Sequence, residues 1–267
     1  GYRHNPASVP LFTNLVRLYL ARSQIDRAVT LCQEAVSRAP QSAFPYNALG
    51  SVMTFTKDYP KAIEAFNKAI AIQPLWQPPH NGLARAYLLQ GNTDEAIKGL
   101  EAAIRADEHN QAAFMTLANI YEQRREQANA KIVYRRALAS NPDMWPAANN
   151  LAFLIAEDKP TDSELEEATL LAMKAFKMQP ENPLVLDTIG WIYYHRGNIP
   201  LALNYISNAL AKDAENPVVN YHMAVLLHAS GRNMEALSSL RKALAADNDF
   251  TERVAAEKLM GKLKPGN

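Results

Sequence analysis

Pro6, Pro40 and Pro74 stand 34 residues apart, and Pro142 lies two such periods beyond Pro74, with Glu108 in the slot between. A fixed spacing constrains the fold more than composition does, because one small unit must recur and bury its apolar face against the next copy. Pro180 breaks step by four residues, after which Ala214 and Asn248 fall in the equivalent slots. The spacing defines seven units: 7–40, 41–74, 75–108, 109–142, 143–180, 181–214 and 215–248.

With that slot numbered 32, so that Ala43 is position 1 of the second unit, other columns fall into register. Position 8 reads Val16, Gly50, Ala84, Ala118, Ala152, Gly190 and Ala224. Position 20 is Ala28, Ala62, Ala96, Ala130, Ala168, Ala202 and Ala236, and position 27 is again Ala in every unit. Small residues at fixed points let two helix backbones approach closely. Large residues alternate with them, Leu15, Leu49, Leu83, Leu117, Leu151, Ile189 and Met223 at position 7, and Tyr19, Met53, Tyr87, Tyr121, Ile155, Tyr193 and Leu227 at position 11. Their periodicity predicts a core.

An aromatic at 4, Leu at 7, Gly or Ala at 8, Tyr at 11, Ala at 20, Phe at 24, Ala at 27 and Pro at 32 resembles the tetratricopeptide repeat. The second unit, "YNALGSVMTFTKDYPKAIEAFNKAIAIQP", follows it almost position by position. The resemblance implies an all-α fold, a right-handed superhelix or α-α solenoid of seven helix pairs. Turn chemistry agrees: Gly91, Gly197 and Gly231 share position 15, where a left-handed residue closes a helix. Pro60 and Pro200 share position 18, in a first turn where a missing amide is tolerated. The fifth unit carries its four extra residues in "EDKPTDSELEEA", a longer turn with Thr161 and Glu164 at capping-box spacing. Residues 249–267 predict a final amphipathic helix and tail covering the seventh unit, as open-ended stacks need, and residues 1–6 look like the tail of a preceding unit, as in a piece of a longer array.

The chain's 267 residues are 48% hydrophobic, and 28 Lys and Arg against 27 Asp and Glu leave a formal charge of +1, so no global field draws in nucleic acid or acidic lipid. No apolar run is long enough to insert in a membrane. Stacked helix pairs place their first helices on a concave surface, where family geometry leaves positions 2, 5, 6, 9, 12 and 13 to meet a ligand. The first four units supply Asn14, Arg17, Phe44, Asn47, Ser51, Asn81, Arg85, Asn119 and Glu122 there. The last three supply Asn149, Asn150, Phe153, Asp187, Trp191, Tyr194, His195, Tyr221, His222 and His228. An asparagine amide matches the donor and acceptor of a peptide unit, and Trp and Tyr anchor interfaces. The amides resemble the asparagine ladder of protein O-linked N-acetylglucosamine transferases, but only Asn14 and Asn150 stand at the ladder's position 6. The carboxylate clamp of chaperone-binding members is excluded, because its places hold Thr13, Arg17, Ala48, Pro78 and Gly82.

No catalytic motif occurs. Asp187 and His195 lie eight residues apart on one helix, roughly 12 Å by helical rise, too far for an orienting pair. Cys32 falls at an inward core position, as an inert thiol would. His222 and His228 point about 240° apart and cannot share an ion, so neither a metal nor another cofactor is expected. The expected function is that of a non-catalytic scaffold holding an extended or helical segment of another protein in the groove. Two alternatives stand beside it: a self-assembly module that receives another copy of the chain, or the recognition arm of a larger enzyme such as a glycosyltransferase. The segments "AANNLAFLIAE" and "YHMAVLLHASGR" also resemble the closing repeats of bacterial envelope proteins from exopolysaccharide and protein-sorting systems. That resemblance implies an exported or lipid-anchored parent and favours the bacterial envelope over the cytoplasm.

Overall fold

The computed structural model describes residues 9–245 and 250–263. The expected tail over 1–6, and the slots of Pro6 and Asn248, lie outside the described residues. Those described form fifteen α-helices and no strand. The chain divides into two compact units, residues 1–133 and 134–267. The first contains α1 (Val9–Ala21), α2 (Ile25–Arg38), α3 (Ala43–Phe55), α4 (Tyr59–Ile72), α5 (Gln77–Gln90), α6 (Thr93–Ala106) and α7 (Gln111–Gln123). The division falls within α8 (Gln127–Ser140). The second contains α9 (Trp145–Glu157), α10 (Asp162–Met178), α11 (Pro183–His195), α12 (Ile199–Lys212), α13 (Pro217–Ala229), α14 (Asn233–Ala245) and the closing helix α15 (Arg253–Leu263). Consecutive helices pack on one another within each unit, and first helices also touch their successors, α3 against α5 and α9 against α11.

The alanine columns explain this packing. All fourteen alanines at positions 20 and 27 are at most 8% exposed, so each second helix presents two flat points to its neighbours. Position 24 lies between them and is buried throughout: Cys32, Phe66, Leu100, Tyr134, Ala172, Ile206 and Leu240. Where this residue is large, position 8 opposite is small. A Cβ added at Gly50 would stand 2.7–2.9 Å from the Phe66 ring, and Gly190 bears the same relation to Ile206. Glycine weakens a helix by about 1 kcal/mol relative to alanine, and here that loss is offset by the burial of a ring or a branched chain worth about 1.5–3 kcal/mol.

Position 15 ends every first helix in the left-handed region, whatever the residue. Gly91, Gly197 and Gly231 have φ of 86°, 75° and 77°, and Ser23, Lys57, Arg125 and Lys159 take 55°, 63°, 60° and 47°. The next helix then starts on a side-chain cap in several repeats: Asp58 accepts from the Lys61 amide, and Asn198 from that of Leu201. In the longer fifth turn Thr161 and Glu164 form a complete capping box.

Candidate functional site

In the first unit, positions 9 and 13 of α3 and α5 border an open pocket of about 370 Å³. Phe55 and Leu89, both at position 13, stand 58% and 50% exposed at its mouth. Because neither Gly50 nor Gly82 carries a side chain, the Phe66 ring reaches between the two helices and forms the floor. Leu20 closes one end, and Lys57 and Arg85 bring two positive charges to the lining. Of the residues expected to line a groove in this unit, Asn14, Arg17, Arg85 and Asn119 are exposed, while Phe44, Asn47 and Asn81 are half-buried. Phe44 packs edge-on against Phe12, ring centres 5.3 Å apart, and Asn81 accepts a 3.3 Å hydrogen bond from Asn110.

The second unit differs. Asp187 and His222 form a buried ion pair in which Nδ1 of the imidazole lies 2.9 Å from both carboxylate oxygens, the side chains being 6% and 1% exposed. Burial works against the imidazolium, but the carboxylates of Asp187, Glu252 and Glu157 together outweigh it and hold the His222 pKa above its ordinary value. Trp191 stacks on His222 with ring centres 3.9 Å apart and donates its indole N–H to the Glu157 carboxylate. Tyr194 also stacks on Trp191 at 5.0 Å, and His195 meets the indole edge-on at 5.2 Å. Burial lowers the His195 pKa, with Glu157 opposing and His222 adding to the shift. Burial likewise raises those of Tyr221 and Glu252.

The structure therefore corrects four of the expected groove residues. Asp187, Trp191, Asn149 and His222 are buried, at 4%, 6%, 5% and 0% exposure, rather than standing on an open wall. Each makes a bond within the unit. Asp187 neutralises His222, Trp191 bonds Glu157, and the Asn149 amide donates to Asn150, which in turn donates to the Tyr134 hydroxyl at 3.0 Å. Phe153, Asn150, Tyr194 and Tyr221 are half-buried around this cluster and His195 is partly exposed. His222, set aside in sequence as one of two histidines that cannot share an ion, is instead the centre of the cluster. Its Nε2 has no hydrogen-bond partner among the described residues. No group of three or more His, Cys, Asp or Glu among the described residues is placed to hold a metal.

Two signals for these contacts were present in the spacing. Asp187 at position 5 and His222 at position 6 are 35 residues apart, and Glu157 and Trp191 at positions 13 and 9 are 34 apart. Successive first helices stack at the repeat period, so a carboxylate in one faces the ring one repeat away. Phe55 and Leu89 could have been read from the position 13 column in the same way.

Sequence models of the tetratricopeptide repeat match residues 13–75, 56–120, 112–144 and 193–263. The chain belongs to the tetratricopeptide repeat family, whose members generally mediate protein–protein interactions. It is 27% identical over 146 residues to the type IV pilus assembly protein PilF of Pseudomonas aeruginosa, across 55% of this chain and 57% of that one. It spans 23% to 57% of the length of the two P. aeruginosa relatives it matches. Among solved structures it is similar to the anaphase-promoting complex assembly Cut9–Hcn1, with a TM-score of 0.66, 16% identity, and coverage of 98% of this chain and 50% of that one. It is also similar to YrrB, described as a tetratricopeptide repeat protein with an unusual peptide-binding site, with a TM-score of 0.55, 18% identity, and coverage of 75% and 97%. At these identities the structural likenesses establish the fold. No described helix is long and apolar enough to cross a membrane.

Proposed function

We propose that the chain is a non-catalytic scaffold that captures a segment of another protein on the face formed by its first helices, with the pocket between α3 and α5 as an anchor point. The observation that carries this reading is the pair Phe55 and Leu89, two large apolar side chains left more than half or half exposed at the rim of a 370 Å³ pocket with an aromatic floor. Apolar side chains of this size at the mouth of a concavity bury best against a partner's side chain. PilF is named for an assembly role and YrrB for a peptide-binding site, which is in keeping with a scaffold. The second unit contributes rigidity: its aromatic residues are spent on the Asp187–His222 core, leaving Tyr194, His195 and Tyr221 at the surface of that cluster.

The test is selection of peptides from a displayed library on the wild-type chain, followed by titration against the variant Phe55→Ala, Leu89→Ala. Both side chains are largely exposed, so the fold should be retained, and circular dichroism checks that it is. Loss of two anchors should weaken selected peptides at least tenfold, since truncating an interface anchor costs about 2 kcal/mol or more. Equal affinity for both proteins would remove the basis of the reading.

A further inference from the structure

The distribution of charge around the pocket points to the chemistry of what enters it. The three first helices α1, α3 and α5 contain Arg17 and Arg85 and no Asp or Glu at all. Asp26, Glu34, Glu64, Asp94, Glu95 and Glu101 stand on the second helices α2, α4 and α6, where Lys and Arg match them in number, while Asp58 precedes α4 and Asp107 and Glu108 follow α6. A chain with a formal charge of only +1 thus keeps α1, α3 and α5 free of carboxylates, whereas α7, the remaining first helix of the unit, carries Glu122.

Within the pocket the asymmetry is sharper. Lys57 and Arg85 both line it, no carboxylate does, and neither cation has an ion-pair or hydrogen-bond partner among the described residues. Three other exposed cations of the unit are paired, Lys61 with Asp58, Lys98 with Glu95 and Arg124 with Asp94. The apolar half of the lining, Phe55, Leu89, Leu20 and the Phe66 floor, has room for one large side chain.

Resting on the groove reading above, we infer that the pocket between α3 and α5 selects an acidic segment of a partner protein, in which a large apolar side chain enters over Phe66 and an adjacent Asp or Glu meets Arg85 and Lys57. A guanidinium offers paired donors to a carboxylate, and the bond between them is about twice as strong as a neutral one. The site differs from a clamp for a terminal carboxylate, because the charge lies beside an apolar pocket and an internal acidic residue satisfies it.

The inference is tested by fluorescence anisotropy with three synthetic labelled peptides, acetylated and amidated so that their ends are uncharged. Each has a central Phe, flanked in one peptide by Asp and Glu, in the second by Asn and Gln, and in the third by Lys. The acidic peptide should bind at least about tenfold tighter than its amide counterpart, in line with a charge-assisted contact. Arg85→Gln and Lys57→Gln should each remove most of that difference while leaving amide-peptide binding unchanged, and added salt should narrow it. If the amide or Lys peptide binds as well as the acidic one, and Phe55→Ala weakens it, the groove stands and the acidic specificity is overturned. If none of the three binds, or Phe55→Ala changes nothing, the groove reading itself falls. A short poly-uridylate that competes as well as the acidic peptide would also overturn the inference, in favour of a nucleic-acid site.

Discussion

Asp187→Asn should be among the most damaging single conservative changes in the second unit, although it alters one atom. At 2.9 Å and an effective dielectric of about 20, the attraction between Asp187 and His222 is roughly 6 kcal/mol before desolvation is counted. Removing one member of such a buried pair costs about 3–5 kcal/mol, because the other is left buried without compensation. His222→Phe should cost a similar amount by leaving the Asp187 carboxylate alone, while preserving a ring to stack on Trp191. The double variant Asp187→Leu, His222→Phe should return to within about 1–2 kcal/mol of wild type, since an apolar pair of similar volume replaces an ion pair at little cost. The pH dependence carries a sign. The folded pKa of His222 is raised above its ordinary 6.5, so its contribution is fully present below that value and is lost as pH rises through the folded pKa. The gap between wild type and Asp187→Asn should therefore narrow as pH rises. Native-state hydrogen exchange of α11 and α13 reads the cost where it arises, because stability in repeat arrays is a sum of local units and interfaces. Single costs that simply add in the double variant, or a gap that widens with pH, would refute the argument.

Three further outcomes follow from the repeat geometry. Arg125 holds φ at 60°, a conformation costing an L residue about 1–2 kcal/mol. Arg125→Gly should relieve this, less the roughly 0.5–1 kcal/mol of extra chain entropy that glycine loses, for a net gain of about 0.5–1 kcal/mol in thermal unfolding, and Gly197→Ala should lose a similar amount. Gly50→Ala gains about 1 kcal/mol of helix propensity but drives a methyl to 2.7 Å from the Phe66 ring, an overpacking worth about 1–3 kcal/mol. It should destabilise on balance, and Phe66→Leu in the same chain should recover part of the loss in a urea titration. Burial pushes the Cys32 thiol up to about 12, so a thiol reagent should label it only as fast as the first unit opens, and unfolding should abolish the protection.

The fold was legible because it depends on residues that recur. Fourteen alanines in two columns, three glycines at position 15 and the Thr161–Glu164 box each state a local geometry that neighbouring repeats confirm. The candidate site was harder to read, because it depends on what differs between repeats. Trp191 and Asp187 occupy groove positions, and their burial follows only once His222 and Glu157 are placed one repeat away. Phe55 escaped notice for the opposite reason: an apolar residue at position 13 reads as packing until Gly50 and Gly82 draw the Phe66 ring inward and leave the rim open. Lys57, Arg125, Ser23 and Lys159 show the same limit at the turns, since the backbone imposes the left-handed conformation there without a glycine to announce it.

Hydrogen exchange of the whole chain, with and without a saturating acidic peptide carrying a central Phe, bears most directly on where a partner lies. A segment anchored over Phe66 should slow exchange at the C-terminal halves of α3 and α5, around Phe55 and from Arg85 to Leu89, and leave α6 unchanged. Protection confined to the second helices, or none at any helix under conditions where the peptide is bound, would contradict the proposal that the first-helix face is the binding surface.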